Sequence, residues 1–322
     1  MSGSMNHEQR PDRARVAQEI VAAHGLRFGA ATSAPAAAIA YSADDAIYRG
    51  ARQACGALGF IDIDAECIAR AWRAQSERLG GFDAQRWPDA PADFGLREFP
   101  PAARDNAFAP CPEQLGLYAV LPDAAWVGRM ARAGVPTVQL RFKSEDAQAV
   151  AREVRAAVEA VQGTDALLFI NDHWRVAIEA RAYGVHLGQE DLDALAPEEL
   201  RQIHAAGLRL GVSTHGYAEM VRADAVSPSY IAMGAVYPTT LKKMATAPQG
   251  VARLAAYARL LRGYPQVGIG GIDALRLPEV LATGVGSVAV VRALVAAEDP
   301  EGTAAQWMAA IDAHRTASAA KP

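Results

Sequence analysis

The sequence has few cysteines, no secretory signal and no long apolar run. Cys55, Cys67 and Cys111 form no CxxC pair and no spacing typical of a metal site. We therefore expect free thiols in a reducing compartment rather than a disulfide-stabilised secreted scaffold. The N-terminus lacks an apolar signal core, and the Ala-rich stretch 30–40 is too short and too interrupted to span a bilayer. These absences predict a cytoplasmic protein that binds no membrane.

Basic residues are also not in excess. The formal net charge is -4 and the pI is about 6.0, which argues against a nucleic-acid surface but leaves room for a local phosphate site. Hydrophobic residues make up 51% and charged residues 21% of the 322 positions, as in a folded globular protein. This length allows one barrel-sized domain and a smaller attachment.

Residues 1–112 differ in texture from the rest of the chain. Helical patterns cover 14–23 and 64–78, with Gly80-Gly81 as a stop, and an Ala/Ser linker with one strand candidate, 57–63, lies between them. Residues 82–112 are rich in Pro, Asp and Ala, and the prolines at 88, 91, 100 and 101 break any long element. We predict a small N-terminal appendage and a tether, to which the sequence assigns no function.

From residue 113 onward, apolar runs alternate regularly with amphipathic segments. Helices are predicted, for example, at 145–161 and 197–206. The predicted strands are 115–121, 137–143, 166–172, 184–189, 209–215, 230–236, 266–271 and 287–293. Eight such units predict a (β/α)₈ TIM barrel for residues 113–322. An open doubly wound sheet is the alternative, and the absence of a Gly-rich fingerprint after the first strand counts against it.

Polar residues collect at the predicted carboxyl ends of the strands, where barrel enzymes place their active sites. Gln139, Arg141 and Lys143 alternate along the second strand, so all three should face the barrel mouth. Arginine and lysine in that position can hold an oxyanion. A solvated strand end is the simpler explanation for one charge, but it accounts poorly for three alternating polar groups.

Two acids follow neighbouring strands. Asp172 ends the third strand and Asp191 lies just after the fourth, in GVHLGQED, where Glu190 is as likely to face water. Either acid alone could be a helix N-cap. Because adjacent strands lie only roughly 5 Å apart, the two together predict an oxygen-ligand site for Mg²⁺. His186 and His215 are read as structural and are left out of this metal site.

The later strand ends add further candidates for anion binding. Ser213 should point inward, where its hydroxyl can bond to a ligand. We assign it to binding rather than covalent catalysis, because no histidine–acid arrangement would make it a nucleophile. Lys242 lies in a Pro-anchored loop that could close over an anion. Gly270-Gly271 follows the seventh strand, and the loops after strands seven and eight of a barrel often bind phosphate.

With these segments identified, residues from about 113 to 300 resemble the thiamine phosphate synthases. The matching segments are QLRFK, IND, GVHLGQEDL, GVSTH, YPTTLKKMATAPQG, GIGGI and GVGSVAVV, all at predicted strand ends. That family joins 4-amino-2-methyl-5-(diphosphooxymethyl)pyrimidine to a thiazole phosphate and releases pyrophosphate. The resemblance implies a dissociative mechanism in which the bond to pyrophosphate breaks first and the thiazole nitrogen then attacks the resulting carbocation.

The resemblance also implies roles for individual residues of this chain. Contacts with the pyrimidine diphosphate are implied for Gln139, Arg141, Lys143, Asn171, Ser213 and Lys242, and Mg²⁺ ligands for Asp172 and Asp191. Contacts with the thiazole phosphate are implied for Thr239, Thr240, Gly271, Val291 and Arg292. Among these, the catalytic residues would be Arg141, Lys143, Ser213 and Lys242.

Two departures from the family and two alternatives remain. The family often has Thr where this chain has Leu241 and Ser where it has Arg292; the arginine could replace the lost hydroxyl as a phosphate ligand. A thiazole tautomerase on the same fold needs no pyrophosphate site, so the set of cations and acids argues against it. A non-catalytic ligand-binding barrel, with the N-terminal appendage as the interaction module, is the second alternative. The sequence leaves the oligomeric state and carboxylation of the thiazole open.

Overall fold

The computed structural model describes residues 12–29, 45–239 and 247–320. The chain divides into two compact units, residues 1–96 and 97–322. Within the described ranges, no helix combines the length and the apolar character needed to cross a membrane.

The N-terminal unit contains three helices. They are α1 (Arg13–Phe28), α2 (Ala46–Ala57) and α3 (Asp62–Leu79), and a short 3₁₀ turn, Pro91–Phe94, follows them. The two predicted helices are confirmed, but the strand predicted at 57–63 is wrong, and residues 46–57 form a helix rather than a linker. Gly50 lets α2 pack closely against α1, because a Cβ at this position would lie 2.6 Å from Val16 Cβ.

A buried histidine lies in the aromatic core of this unit. His24 Nε2 donates to the carbonyl oxygen of Ala84 at 2.9 Å, and its ring meets the Trp87 ring edge-on at 5.0 Å between centroids. Burial lowers the pKa of His24, because removal from water disfavours the charged imidazolium.

The second unit is a closed barrel of eight parallel strands, in which each strand pairs with the next and β8 pairs with β1. The strands are β1 (Leu117–Leu121), β2 (Thr137–Leu140), β3 (Leu167–Asn171), β4 (Gly184–Leu187), β5 (Arg209–Thr214), β6 (Tyr230–Met233), β7 (Gln266–Ile269) and β8 (Ser287–Val290). The TIM-barrel prediction is confirmed and the doubly wound alternative is wrong. After β1, each strand ends earlier than predicted.

Helices surround the barrel and connect its strands. They are α4 (Ala124–Arg132), α5 (Ala147–Ala160), α6 (Trp174–Glu179), α7 (Gln189–Ala194), α8 (Pro197–Ala205), α9 (Tyr217–Ala225), α10 (Gly250–Leu260), α11 (Leu277–Leu281), α12 (Arg292–Val295) and α13 (Pro300–Ala319). The helices predicted at 145–161 and 197–206 correspond to α5 and α8. The crossovers bring the carboxyl ends of all eight strands to one face.

Alternate strand residues fill the barrel interior. Tyr118, Phe169, Tyr230, Val267 and Ala289 belong to one buried cluster there. The tyrosine from β6 needs unusual space: a Cβ on the facing Gly211 of β5 would lie 2.1 Å from its ring. The interior therefore combines large aromatic rings with a glycine that makes room for one of them.

Candidate functional site

A cavity of about 690 Å³ opens at the carboxyl ends of the strands. This volume lies within the range of small-molecule binding sites. The predicted site residues that line it are Gln139, Arg141, Lys143, Asn171, Asp172, Asp191, Ser213, Thr239, Gly271, Val291 and Arg292. Thr240 and Lys242 lie outside the described residues.

The two predicted acids meet at one side of this cavity. Burial, followed by the negative charge of the nearby Asp172, raises the pKa of Asp191. Lys143 Nζ contacts Asp172 Oδ2 at 2.6 Å, and the Gly188 N–H donates to Asp191 Oδ2 at 3.0 Å. An acid whose charge is disfavoured by a second acid gains from a bound cation.

The donor set fits Mg²⁺ better than a metal that requires an all-protein cage. Among the residues that the structure describes, no group of three or more His, Cys, Asp or Glu side chains could hold a metal ion. Magnesium typically uses one or two carboxylates and completes its shell with water and substrate phosphates. Asp172 and Asp191 supply that number of carboxylates.

The backbone at Asp172 is strained. Its φ is +64°, in the left-handed region that non-glycine residues seldom occupy. The N–H of the next residue, His173, donates to the carbonyl of the preceding residue, Asn171, at 2.7 Å. Asp172 is therefore the centre of a tight three-residue turn. Such strain costs on the order of 1–3 kcal/mol and persists only where the surroundings impose it. Here the turn aims a carboxylate at the cavity.

Ser213 has a partner that sequence reasoning missed. His186, which the sequence indicated as structural, lines the same cavity, and its Nε2 lies 2.8 Å from Ser213 Oγ. The residues lie on neighbouring strands, β4 and β5. The signal in the sequence was the strand period of two, which puts His186 on the inward face of β4.

The opposite side of the cavity carries two guanidinium groups. Arg292 begins α12 after β8. Arg276, which the sequence analysis missed, donates from Nη1 to the Gly271 carbonyl at 2.7 Å, and its guanidinium lies 4.5 Å from the centre of the Tyr237 ring. Gly271 has φ +65°, and a Cβ there would lie 2.5 Å from the Pro238 carbonyl oxygen. Asp273 Oδ2 also lies 3.4 Å from Arg276 Nη1, so the two guanidinium groups and this carboxylate leave one formal positive charge for a second anionic group.

His215, Glu190 and the three cysteines were given no role in ligand binding by the sequence. His215 contacts Glu219 through Nδ1 at 2.7 Å and also lines the cavity, so its structural role stays a prediction. Glu190 lies at the cavity rim and is exposed. The three cysteines, all within the described residues, form no disulfide, as predicted, and burial raises the pKa of Cys67 to about 11 and that of Cys111 to about 12.

Several known proteins are similar to the barrel unit of this chain. Residues 117–294 match the family model described as thiamine monophosphate synthase. A thiamine-phosphate synthase of Neisseria meningitidis serogroup B is 53% identical over 205 residues, which cover 64% of this chain and 98% of that protein. One of Salmonella agona is 53% identical over 202 residues, which cover 63% of this chain and 94% of that protein.

A solved structure, a thiamine phosphate pyrophosphorylase from Pyrococcus furiosus, has a TM-score of 0.55 and 27% identity. The comparison covers 62% of this chain and 96% of that one. The family match covers more than half of the chain and falls within the barrel unit. This chain therefore belongs to the thiamine-phosphate synthase family of transferases.

Proposed function

We propose that the barrel joins 4-amino-2-methyl-5-(diphosphooxymethyl)pyrimidine to 4-methyl-5-(2-phosphooxyethyl)thiazole, or to its carboxylated form, and releases thiamine phosphate and pyrophosphate. The observation that carries the proposal is the arrangement of charge: two carboxylates and Lys143 meet on one side of a single cavity, and Arg276 and Arg292 lie across it. A reaction between a diphosphate and a phosphate needs two such anion sites. We assign the activity to residues 113–322 and no function to residues 1–112.

Asp172 and Asp191 would hold Mg²⁺. When bound, that ion neutralises charge on the diphosphate as it leaves. Lys143 Nζ pairs with Asp172 at 2.6 Å, so an ammonium group lies beside the acids that would hold the metal. With a diphosphate bound, the ammonium can turn from the carboxylate to a phosphate oxygen.

The pyrimidine diphosphate would lie over β2 to β5. Arg141 and Lys143 hold the diphosphate oxygens, with Ser213 as a hydroxyl donor, and Gln139 and Asn171 contact the pyrimidine. The C–O bond breaks and its electron pair leaves with pyrophosphate, while the aminopyrimidine stabilises the carbocation. The protein's task is to stabilise the leaving charge and to align the two ligands. Lys242, from the loop after β6, would steady the departing pyrophosphate.

The thiazole phosphate would lie over β6 to β8. Gly271, Val291 and Arg292 line that part of the cavity together with Thr239, and Thr240 would add a hydroxyl. Arg276 joins this group because its guanidinium is held in place by the Gly271 carbonyl. Two guanidinium groups offset the hydroxyl that Leu241 lacks.

The deciding experiment incubates the full-length protein with both substrates and Mg²⁺ and measures thiamine phosphate and pyrophosphate. We expect the two products in equal amounts, and none when Mg²⁺ is removed with a chelator. Binding of both substrates without product would favour the non-catalytic barrel. Proton exchange on a thiazole without pyrophosphate release would favour the tautomerase. The cytoplasmic location stays a prediction of the sequence.

A further inference from the structure

Five polar side chains form an unbroken hydrogen-bonded chain, called the chain in the rest of this subsection, through the barrel interior. Gln139 Nε2 donates to the Tyr118 hydroxyl at 3.0 Å, and the Tyr118 and Tyr230 hydroxyls lie 2.7 Å apart. The Tyr230 hydroxyl lies 2.7 Å from His186 Nδ1, and His186 Nε2 lies 2.8 Å from Ser213 Oγ. Five different strands supply these residues, so the closed barrel is what brings them together.

These groups lie where a barrel normally has branched apolar residues. Tyr118 and Tyr230 are 2% and 0% exposed, and each buried hydroxyl costs free energy unless it is hydrogen-bonded. Burial raises the pKa of both phenols, so each keeps its hydrogen at neutral pH. The chain therefore contains a fixed number of hydrogens that must each find an acceptor.

The Gln139 amide, which donates from Nε2 to the Tyr118 hydroxyl, gives this hydrogen-bonded chain one direction. Tyr118 already accepts a hydrogen from the Gln139 amide, so its own hydrogen goes to Tyr230; otherwise it would be a buried donor without an acceptor in this chain. Tyr230 in turn donates to Nδ1 of His186. The imidazole then carries its hydrogen on Nε2 and donates it to Ser213 Oγ.

We infer that this chain fixes the tautomer of His186 and thereby makes the Ser213 hydroxyl a dedicated hydrogen-bond donor to the leaving diphosphate. Because the serine oxygen accepts from His186, its own hydrogen is left to point into the cavity. Tyr118, Tyr230 and His186 are thus positioning residues that act through Ser213. The identity of the acceptor rests on the proposed function, whereas the direction of the hydrogen bonds does not.

The same hydrogen-bonded chain connects Gln139, proposed to contact the pyrimidine, with Ser213, proposed to contact the diphosphate. Gln139 lines the cavity as well as starting the chain. If its amide turned over, Gln139 would accept from Tyr118, and every hydrogen bond along the chain would reverse. Ser213 would then donate to His186 rather than to ligand. A ligand edge that keeps the Gln139 amide oxygen toward the cavity therefore sets the donor at the diphosphate.

The first test is ¹⁵N NMR of the ligand-free enzyme labelled at histidine. The His186 signals are identified by their loss in His186→Gln. We expect a hydrogen on Nε2 and a bare, hydrogen-bonded Nδ1. In Tyr230→Phe the Nδ1 signal should move away from its position in the native enzyme, because the hydrogen bond from the Tyr230 hydroxyl is lost. A native enzyme with the hydrogen on Nδ1 would overturn the inference, whether or not Tyr230→Phe folds.

The second test is a kinetic double-mutant cycle on pyrophosphate release. Ser213→Ala should lower kcat about 10- to 100-fold, as expected for loss of a hydrogen bond to a charged group. Tyr230→Phe should lower kcat about three- to tenfold when Ser213 is present and less than about twofold in Ser213→Ala, with little change in KM. Equal losses in both backgrounds would mean that Tyr230 has only a structural role.

Tyr264→Phe is the matched control. Its buried hydroxyl donates to Asp224 Oδ1 at 2.6 Å, outside the chain, so the variant should lower thermal stability without changing kcat. If native protein forms no thiamine phosphate, the proposed function fails, while the tautomer measured without substrate still decides the direction of the chain.

Discussion

Asp172 offers a test that separates stability from catalysis, through the pair Asp172→Asn and Asp172→Ala. Asparagine tolerates the left-handed backbone that Asp172 adopts at φ +64°, whereas alanine there costs roughly 1–2 kcal/mol. Loss of the contact with Lys143, whose side chain is 57% exposed, costs about 0.2–1 kcal/mol. Relief of repulsion at Asp191 opposes that loss. Asp172→Asn should therefore change the free energy of unfolding by less than about 1 kcal/mol, and Asp172→Ala should be the less stable variant.

Activity should respond very differently. If Asp172 helps to hold the metal that stabilises the leaving diphosphate by several kcal/mol, kcat/KM of both variants should fall at least about 100-fold. Chemical unfolding and a pyrophosphate-release assay at saturating Mg²⁺ measure the two quantities. Asp165→Asn, an exposed acid in the loop before β3, serves as the control and should change neither. Wild-type activity in Asp172→Asn, or a stability loss above about 2 kcal/mol, would refute the reasoning.

Three further predictions concern other parts of the molecule. Gly211→Ala should destabilise the barrel by about 1–3 kcal/mol in thermal unfolding, because its Cβ would meet the Tyr230 ring at 2.1 Å; an unchanged midpoint would contradict this. Cys67 and Cys111, whose thiol pKa values burial raises to about 11 and about 12, should react slowly with iodoacetamide at pH 8 until the protein unfolds. Because the folded-state pKa of His24 is lowered from 6.5, its contribution to stability is present above pH 6.5 and is lost as the pH falls below it. His24→Gln should flatten this pH dependence, and an unchanged slope would exclude His24 as its source.

The barrel could be predicted from the sequence because its strands and helices each repeat with their own period. The end of each strand could not be predicted from the sequence, because it depends on local backbone geometry. The prediction ran β2 on to residue 143, whereas the strand ends at Leu140. At β3, the left-handed turn at Asp172 ends the extended backbone. A pattern of apolar and polar residues contains no information on such φ values.

The site could be predicted in part for a similar reason. Gln139, Arg141 and Lys143 do line one cavity, but the period of two accounts only for Gln139, because the other two lie beyond the end of β2. The same period reads Tyr118 and Tyr230 as apolar filling and says nothing of their hydroxyls, whose bond joins residues 112 positions apart. Helix α2 was missed because it contains Gly50 and Gly56, and glycine lowers helix propensity; the close approach of Gly50 to Val16 shows that the glycine serves helix packing instead.

The backbone at Asp172 also limits how this enzyme can change through evolution. Of the residues that accept its left-handed conformation readily, glycine and asparagine carry no charge. Both aspartate codons reach glycine or asparagine by a single nucleotide substitution. This barrel therefore lies one mutational step from a well-folded descendant that keeps only Asp191 of the two paired acids, and such a descendant would be free to acquire chemistry that needs no departing diphosphate.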